Sequence, residues 1–134
     1  MSRLTGALAL DTYTAALRAW LTPEQPFLRA VYIDFPDDPT ALSERRRGHY
    51  MFGASVLVQA VTTPRSAETN LSTNFLHFPA FEDPKLAWVE RSSGRCFRGG
   101  VTLEEVGYRL EETAEFIRPV SCAWNPLCLR SCMV

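Results

Sequence analysis

The sequence predicts a mainly β chain: an antiparallel β-sandwich preceded by one helix and one strand without an evident partner. Short apolar runs ("NFLHF", "LAWVE", "RCFRG", "VTLEEV", "EFIRPV") recur after residue 70, with Gly, Pro and Ser-Ser-Gly between them. That is the rhythm of strands and turns in a sandwich. "FLRAVYIDF" is apolar on both faces, as in a parallel sheet covered by helices, yet no second βα unit accompanies it. The N-terminal twenty residues place apolar side chains at helical rather than alternating spacing.

The helix spans Leu4 to Leu21, with Leu4, Ala7, Leu8, Leu10, Ala15, Leu17 and Trp20 as its apolar positions. Ala and Leu favour helix, and Pro23 stops it near Thr22. No capping box opens it, and Gly6 sits in the first turn. A strand over Leu28–Phe35 follows, rich in β-branched and aromatic residues and bounded by Pro26 and Pro36. Asp37-Asp38-Pro39 is a helix-start signal, since either Asp can cap and Pro39 suits the first helical position. It predicts a short helical turn over Thr40–Arg46. In "HYMFGASVLVQAVTTP", residues Ser55–Val61 form a strand buried on both faces. "TTPRSAETNLST" is a polar linker, and "RSSGRCFRGG" is a hairpin turn.

The 134 residues amount to one ordinary domain or less, and the apolar fraction of 46% argues against disorder. With 14 basic and 15 acidic residues, the net charge of −1 points to neither a nucleic-acid nor a membrane partner. No apolar window reaches the length of a membrane span. "LTGALAL" gives way to Asp11 without a clear cleavage pattern, so it reads as helix rather than as a signal peptide. Localisation stays open, including a secretory route for a longer parent chain. Three of the four cysteines, Cys122, Cys128 and Cys132, crowd the end of the chain. Their spacing, with both histidines distant, is a poor match to zinc patterns. Neither a metal nor a cofactor is expected. Free thiols in a poorly ordered tail fit better, because a disulfide needs an oxidising compartment.

Two stretches together resemble a known family. "PFLRAVYIDFPDDP" followed by "HYMFGASVLVQAVTTP" is similar to the end of the catalytic region of glycoside hydrolase family 31, the α-glucosidases and α-xylosidases. There an aromatic-rich last barrel strand ends in Asp/Glu-Phe-Pro-x-Asp, matched by Asp34-Phe35-Pro36. A Tyr/Phe-Met-Phe-Gly stretch then opens the β-sandwich, matched by Met51-Phe52-Gly53. "LAWVERSSGRCFRGGVTL" resembles the family's Trp-containing hairpin, and "EFIRPVSC" its Phe-x-Arg-Ala-Gly strand. The sequence departs from the pattern at Ala30-Val31, Gln59-Ala60 and Pro119-Val120, and in "FPAFEDPKLAW" before the hairpin.

The resemblance implies a domain plan. Residues 1–48 would be the remnant of a (β/α)8 barrel, its last helix and its eighth strand. Residues 49–121 would be the sandwich, and residues 122–134 a Cys-rich tail. It also implies chemistry that the chain lacks. Retaining hydrolysis needs two carboxylates about 5–5.5 Å apart, and in this family both lie on earlier barrel strands. A barrel takes about 250 residues, and no segment matches the family's nucleophile motif, so no catalytic residue is assigned.

Asp34, Asp37 and Asp38 fall at the C-terminal end of the expected barrel strand, where barrel active sites are built. By resemblance they would line the rim of a sugar pocket; by local chemistry, Asp37 or Asp38 simply caps the next turn. His49 and His77 have no adjacent nucleophile motif and read as packing residues. Trp20, Trp88, Trp124, Tyr32, Tyr50 and Tyr108 could stack on sugars, but read first as core. Arg45-Arg46-Arg47 reads as a solvated loop, and Gly99-Gly100 as a turn rather than a phosphate loop. Asn70-Leu71-Ser72 is an N-glycosylation sequon that matters only if the chain is secreted.

Two functions follow. One is a piece of an α-glucosidase-like hydrolase, inactive alone, whose partner is the rest of a larger glycosidase chain. The other is a stand-alone β-sandwich that binds an oligosaccharide or another protein.

Overall fold

A computed structural model describes residues 9–24, 26–44, 48–109 and 112–118. Helix α1 (Ala9–Leu21) ends as expected: the Thr22 amide donates to Arg18 O at 2.8 Å, and Pro23 prevents another turn. The chain then forms β1 (Leu28–Ala30) and a single helical turn, α2 (Val31–Asp34), closed by the Phe35 amide on Val31 O at 3.0 Å. The strand expected over 28–35 is therefore three residues long. A local ion pair accompanies the fold-back: Arg29 Nη2 reaches Asp34 Oδ2 at 2.9 Å, and Nε meets both carboxylate oxygens. Val31 and Phe35, four residues apart, both enter the core from that turn, while Tyr32 and Ile33 face solvent. The spacing is helical, and the β-branched composition concealed it. The helical turn expected over Thr40–Arg46 reduces to i→i+3 turns, Ala41 N to Asp38 O and Ser43 N to Thr40 O, both at 3.0 Å. Arg45–Arg47 lie outside the described residues.

The remaining strands are β2 (His49–Phe52), β3 (Val56–Gln59), β4 (Ser72–His77), β5 (Ala87–Glu90), β6 (Cys96–Arg98), β7 (Thr102–Tyr108) and β8 (Glu115–Ile117). They form a mainly β, antiparallel architecture: a six-stranded sheet in the order β1-β2-β3-β8-β5-β6 and a two-stranded sheet β4-β7. Strand β1 lies at the edge of the larger sheet, with Leu28 opposite Phe52 and Ala30 opposite Tyr50. A boundary at residue 48 thus falls between two hydrogen-bonded strands. The β5–β6 hairpin turns through Gly94 at φ +73°, as "RSSGRCFRGG" suggested. In β7, Glu104 and Glu105 oppose the single residue Phe75, and Glu105 takes φ +55°. That is a β-bulge, which increases the local twist of the strand.

Between the sheets lie Met51, Leu57, Leu76, Phe78, Trp88, Tyr108 and Phe116, with Val31 and Phe35 closing one end. Phe78 stacks on Phe97 with ring centroids 4.7 Å apart and meets Phe116 edge-on at 4.8 Å, geometries that aromatic quadrupoles favour. Trp88 is fully buried, and its Nε1 donates to Pro79 O at 3.0 Å. Glu90 is buried as well: Oε2 accepts from Arg95 Nε and Nη2 and from the Ser93 hydroxyl. The Tyr108 hydroxyl lies 3.5 Å from Glu90 Oε1. Burial, aided by the neighbouring Glu90 charge, pushes the Tyr108 phenol well above its ordinary value.

Helix α1 departs from this economy. Thr14, Ala15 and Ala19 are its half-buried positions, and Ala15 Cβ comes within 3.5 Å of where a side chain on Gly53 would begin. Leu10, Tyr13, Leu17, Trp20 and Leu21, spaced as one helical stripe, all face solvent; Leu10 is 74% and Trp20 77% exposed.

Candidate functional site

A cleft of about 710 Å³ opens where the α2–β2 connection meets the two sheets. One wall is the run Asp34–Pro39, and the other is Ala80–Asp83 with Leu86; His77, Gly100 and Arg118 complete it. The fold thus brings Asp34, Asp37 and Asp38 to one cavity. It also places beside them side chains more than 35 residues away in sequence, which local pattern could not nominate.

The three aspartates differ in state. Asp34 is held by Arg29. Asp38 is buried, its side chain 5% exposed. Its Oδ1 accepts from Thr40 N at 2.9 Å and from Thr40 Oγ1 at 2.8 Å, the turn-capping role that local chemistry suggested. Its Oδ2 lies 3.0 Å from His77 Nε2. Asp37 is exposed to solvent, and Glu82 and Asp83 stand exposed on the facing wall.

His77 sits at the junction of a buried polar network. Its Nδ1 lies 2.7 Å from Thr102 Oγ1, opposite it in the β4–β7 pair. A hydroxyl, a histidine and a carboxylate in line is the layout that activates nucleophiles. Here Asp38 also caps Thr40, and the His77 backbone is clamped by Gln59, whose Oε1 accepts from His77 N at 3.1 Å and whose Nε2 donates to His77 O at 3.2 Å. Asn74 Nδ2 donates to Gln59 O at 3.2 Å. The array joins the two sheets to the cleft wall, which is a positioning role. Gln59 is one of the positions at which the sequence departs from the family pattern, and the structure gives it this cross-sheet task.

Arg118 supplies a cation to the cleft. Its guanidinium carbon lies 5.3 Å from the Phe35 ring centre and 5.5 Å from that of Phe81. Both are cation–π distances. Its backbone amide donates to Ser55 O at 2.6 Å. Among the described residues, five carboxylates line the cavity against this one arginine. A ligand rich in hydroxyls suits such a surface better than an anion, because hydroxyls both donate to carboxylates and accept from a guanidinium.

The other residues singled out in the sequence lie elsewhere. His49 is buried on β2 and stacks on Phe75 at 6.3 Å. Trp88 and Tyr108 are core, Trp20 is on the exposed face of α1, and Tyr32 is exposed beside the cleft wall. Gly100, at φ +79°, makes the β6–β7 turn, and a Cβ on Gly99 would come within 2.8 Å of Ala80 Cα. Asn70 is exposed in the loop before β4, at φ +59°. Trp124, Cys122, Cys128 and Cys132 lie outside the described residues; Cys96 is disulfide-bonded. Among the described residues no group of three or more His, Cys, Asp or Glu could hold a metal ion, and no helix is long and apolar enough to cross a membrane.

Comparison with known proteins gives this geometry its context. The model of the glycosyl hydrolase family 31 C-terminal domain matches residues 24–121. No curated protein matches the chain. Among solved structures, the chain is similar to a family 31 α-xylosidase from Xanthomonas citri, with 25% identity, a TM-score of 0.62, and coverage of 81% of this chain and 10% of that one. A family 31 α-xylosidase from a soil metagenome, in complex with xylose, matches at 27% identity with a TM-score of 0.55 over 72% of this chain and 13% of that one. The fold also matches a cycloalternan-degrading enzyme from Trueperella pyogenes, at 24% identity and a TM-score of 0.67, over 87% of this chain and 15% of that one. The chain therefore spans 10–15% of the length of these solved enzymes. With a family model covering most of its residues and every β-strand, the chain belongs to glycosyl hydrolase family 31, in the part that forms the C-terminal domain.

Proposed function

We propose that this chain is the C-terminal β-sandwich of an α-glucosidase-like family 31 enzyme, that it supports the active site of a catalytic barrel, and that it supplies no catalytic carboxylate of its own. The observation that carries the reading is the outward apolar stripe of α1. Nine of the eleven exposed large hydrophobic residues among those described lie between Leu10 and Leu42. A contiguous apolar face of this kind marks a surface built to be covered, and a barrel is the partner that the family supplies. On this reading the domain unit begins near residue 24, where the family match begins. Helix α1 is then the element handed over by the barrel, and Asp37, Glu82, Asp83 and Arg118 form the rim of a saccharide site.

Two of the three aspartates are committed to Arg29 and to the His77–Thr40 network. No opposed acid and nucleophile remain among them. Pure protein incubated with nitrophenyl α-glucoside and α-xyloside is expected to release no more nitrophenol than a blank preparation. Turnover above the blank that survives repurification would overturn the proposal.

The cleft favours one alternative, a stand-alone saccharide-binding or protein-interaction module. That reading predicts a monodisperse protein with saturable binding of an oligosaccharide. The proposal predicts self-association of the isolated chain through α1. Size-exclusion chromatography with light scattering separates them.

A further inference from the structure

We propose that Asn70 is an N-glycosylation site. The sequence Asn70-Leu71-Ser72 satisfies the acceptor pattern, and the structure shows why this copy of it is usable. The loop before β4 closes on itself through its backbone: Ser66 N donates to Leu71 O at 2.9 Å, and Asn70 N to Ser66 O at 3.0 Å. Glu68 N is satisfied by Ser66 Oγ at 3.3 Å. None of these bonds uses the Asn70 carboxamide, and Asn70 is exposed and in the left-handed region, at φ +59°. Asn accepts that conformation more readily than most residues.

The middle residue of the sequon anchors the rest. Leu71 packs over Gly107, where a Cβ would come within 2.9 Å of Leu71 Cδ1. Ser72 then opens β4 opposite Tyr108. Leu71 thus faces the sheet while Asn70 stays exposed to a modifying enzyme. Asn70 also stands at the end of the two-stranded β4–β7 sheet.

In the modification, Asn70 Nδ2 attacks C1 of a lipid pyrophosphate-linked oligosaccharide. The N–C1 bond forms as the C1–O bond breaks, Nδ2 loses one proton, and the lipid pyrophosphate leaves.

The test uses native protein captured from a source extract with an antibody to the residues 92–100 hairpin. Peptide-N-glycosidase digestion in heavy-oxygen water should convert position 70 to labelled aspartate and lower the apparent mass by one glycan. An unlabelled Asn70 peptide in the captured protein would overturn the inference. The same chain secreted from a eukaryotic host supplies the variants. Asn70→Gly keeps the positive φ without strain, and Ser72→Ala leaves Asn70 in place; both should run at the deglycosylated size. A glycan shift that persists in both variants would place the modification elsewhere and overturn the assignment.

Discussion

His77 is held from three sides: Asp38 on Nε2, Thr102 on Nδ1, and Gln59 on its backbone amide and carbonyl. Removing Asp38 takes away a buried partner, at about 1–3 kcal/mol, and also the Thr40 cap, at about 1 kcal/mol. Asp38→Ala should lower stability by that sum, read from the urea midpoint. Asp37→Ala, at an exposed carboxylate of the same cleft, should stay within about 0.5 kcal/mol of wild type. Gln59→Leu should cost about 1–3 kcal/mol by leaving the His77 backbone groups buried without it. Because both residues secure His77, the double variant should lose less than the sum of the singles; strict additivity would show that the network is not a unit. Tyr108 gives a pH dependence. Its folded-state pKa is raised, by burial first and the Glu90 charge second. Its contribution is intact below the unfolded tyrosine value of about 10 and declines as pH rises above that, because only the unfolded chain ionises readily. Tyr108→Phe should flatten the alkaline loss of stability, and an unchanged alkaline limb would contradict the assignment.

At the scale of elements, the exposed stripe of α1 makes a direct prediction. Replacing Leu17 and Trp20 together by Glu should convert a self-associating chain into a monomer with an unchanged circular dichroism spectrum. Loss of folding instead would show that the stripe packs internally. The β-strands after residue 70 were legible because turn residues and apolar runs alternate there. The same reading overextended the 28–35 segment. Composition alone favoured a strand, whereas the Arg29–Asp34 pair and the four-residue step from Val31 to Phe35 accompany a helical turn. The pairing of β8 between β3 and β5 was not legible either, since it joins segments some 60 and 30 residues apart with no local mark. In the cleft, the aspartates were legible through Asp34-Phe35-Pro36. Arg118, His77 and Gln59 were not, because their roles arise only when distant strands meet.

At the scale of the molecule, a sandwich with an ordered core carries on one side a helix whose larger side chains are exposed. On the proposed function a catalytic barrel covers that face; the chain matches a domain that occupies a small part of each solved relative. The measurement that tests this most directly is the size of the native product, detected in a source extract with an antibody to the residues 92–100 hairpin. After removal of glycans, the account predicts a band several times larger than the 134-residue chain, carrying glycosidase activity when captured. A single band at the size of the chain itself, without that activity, would contradict it.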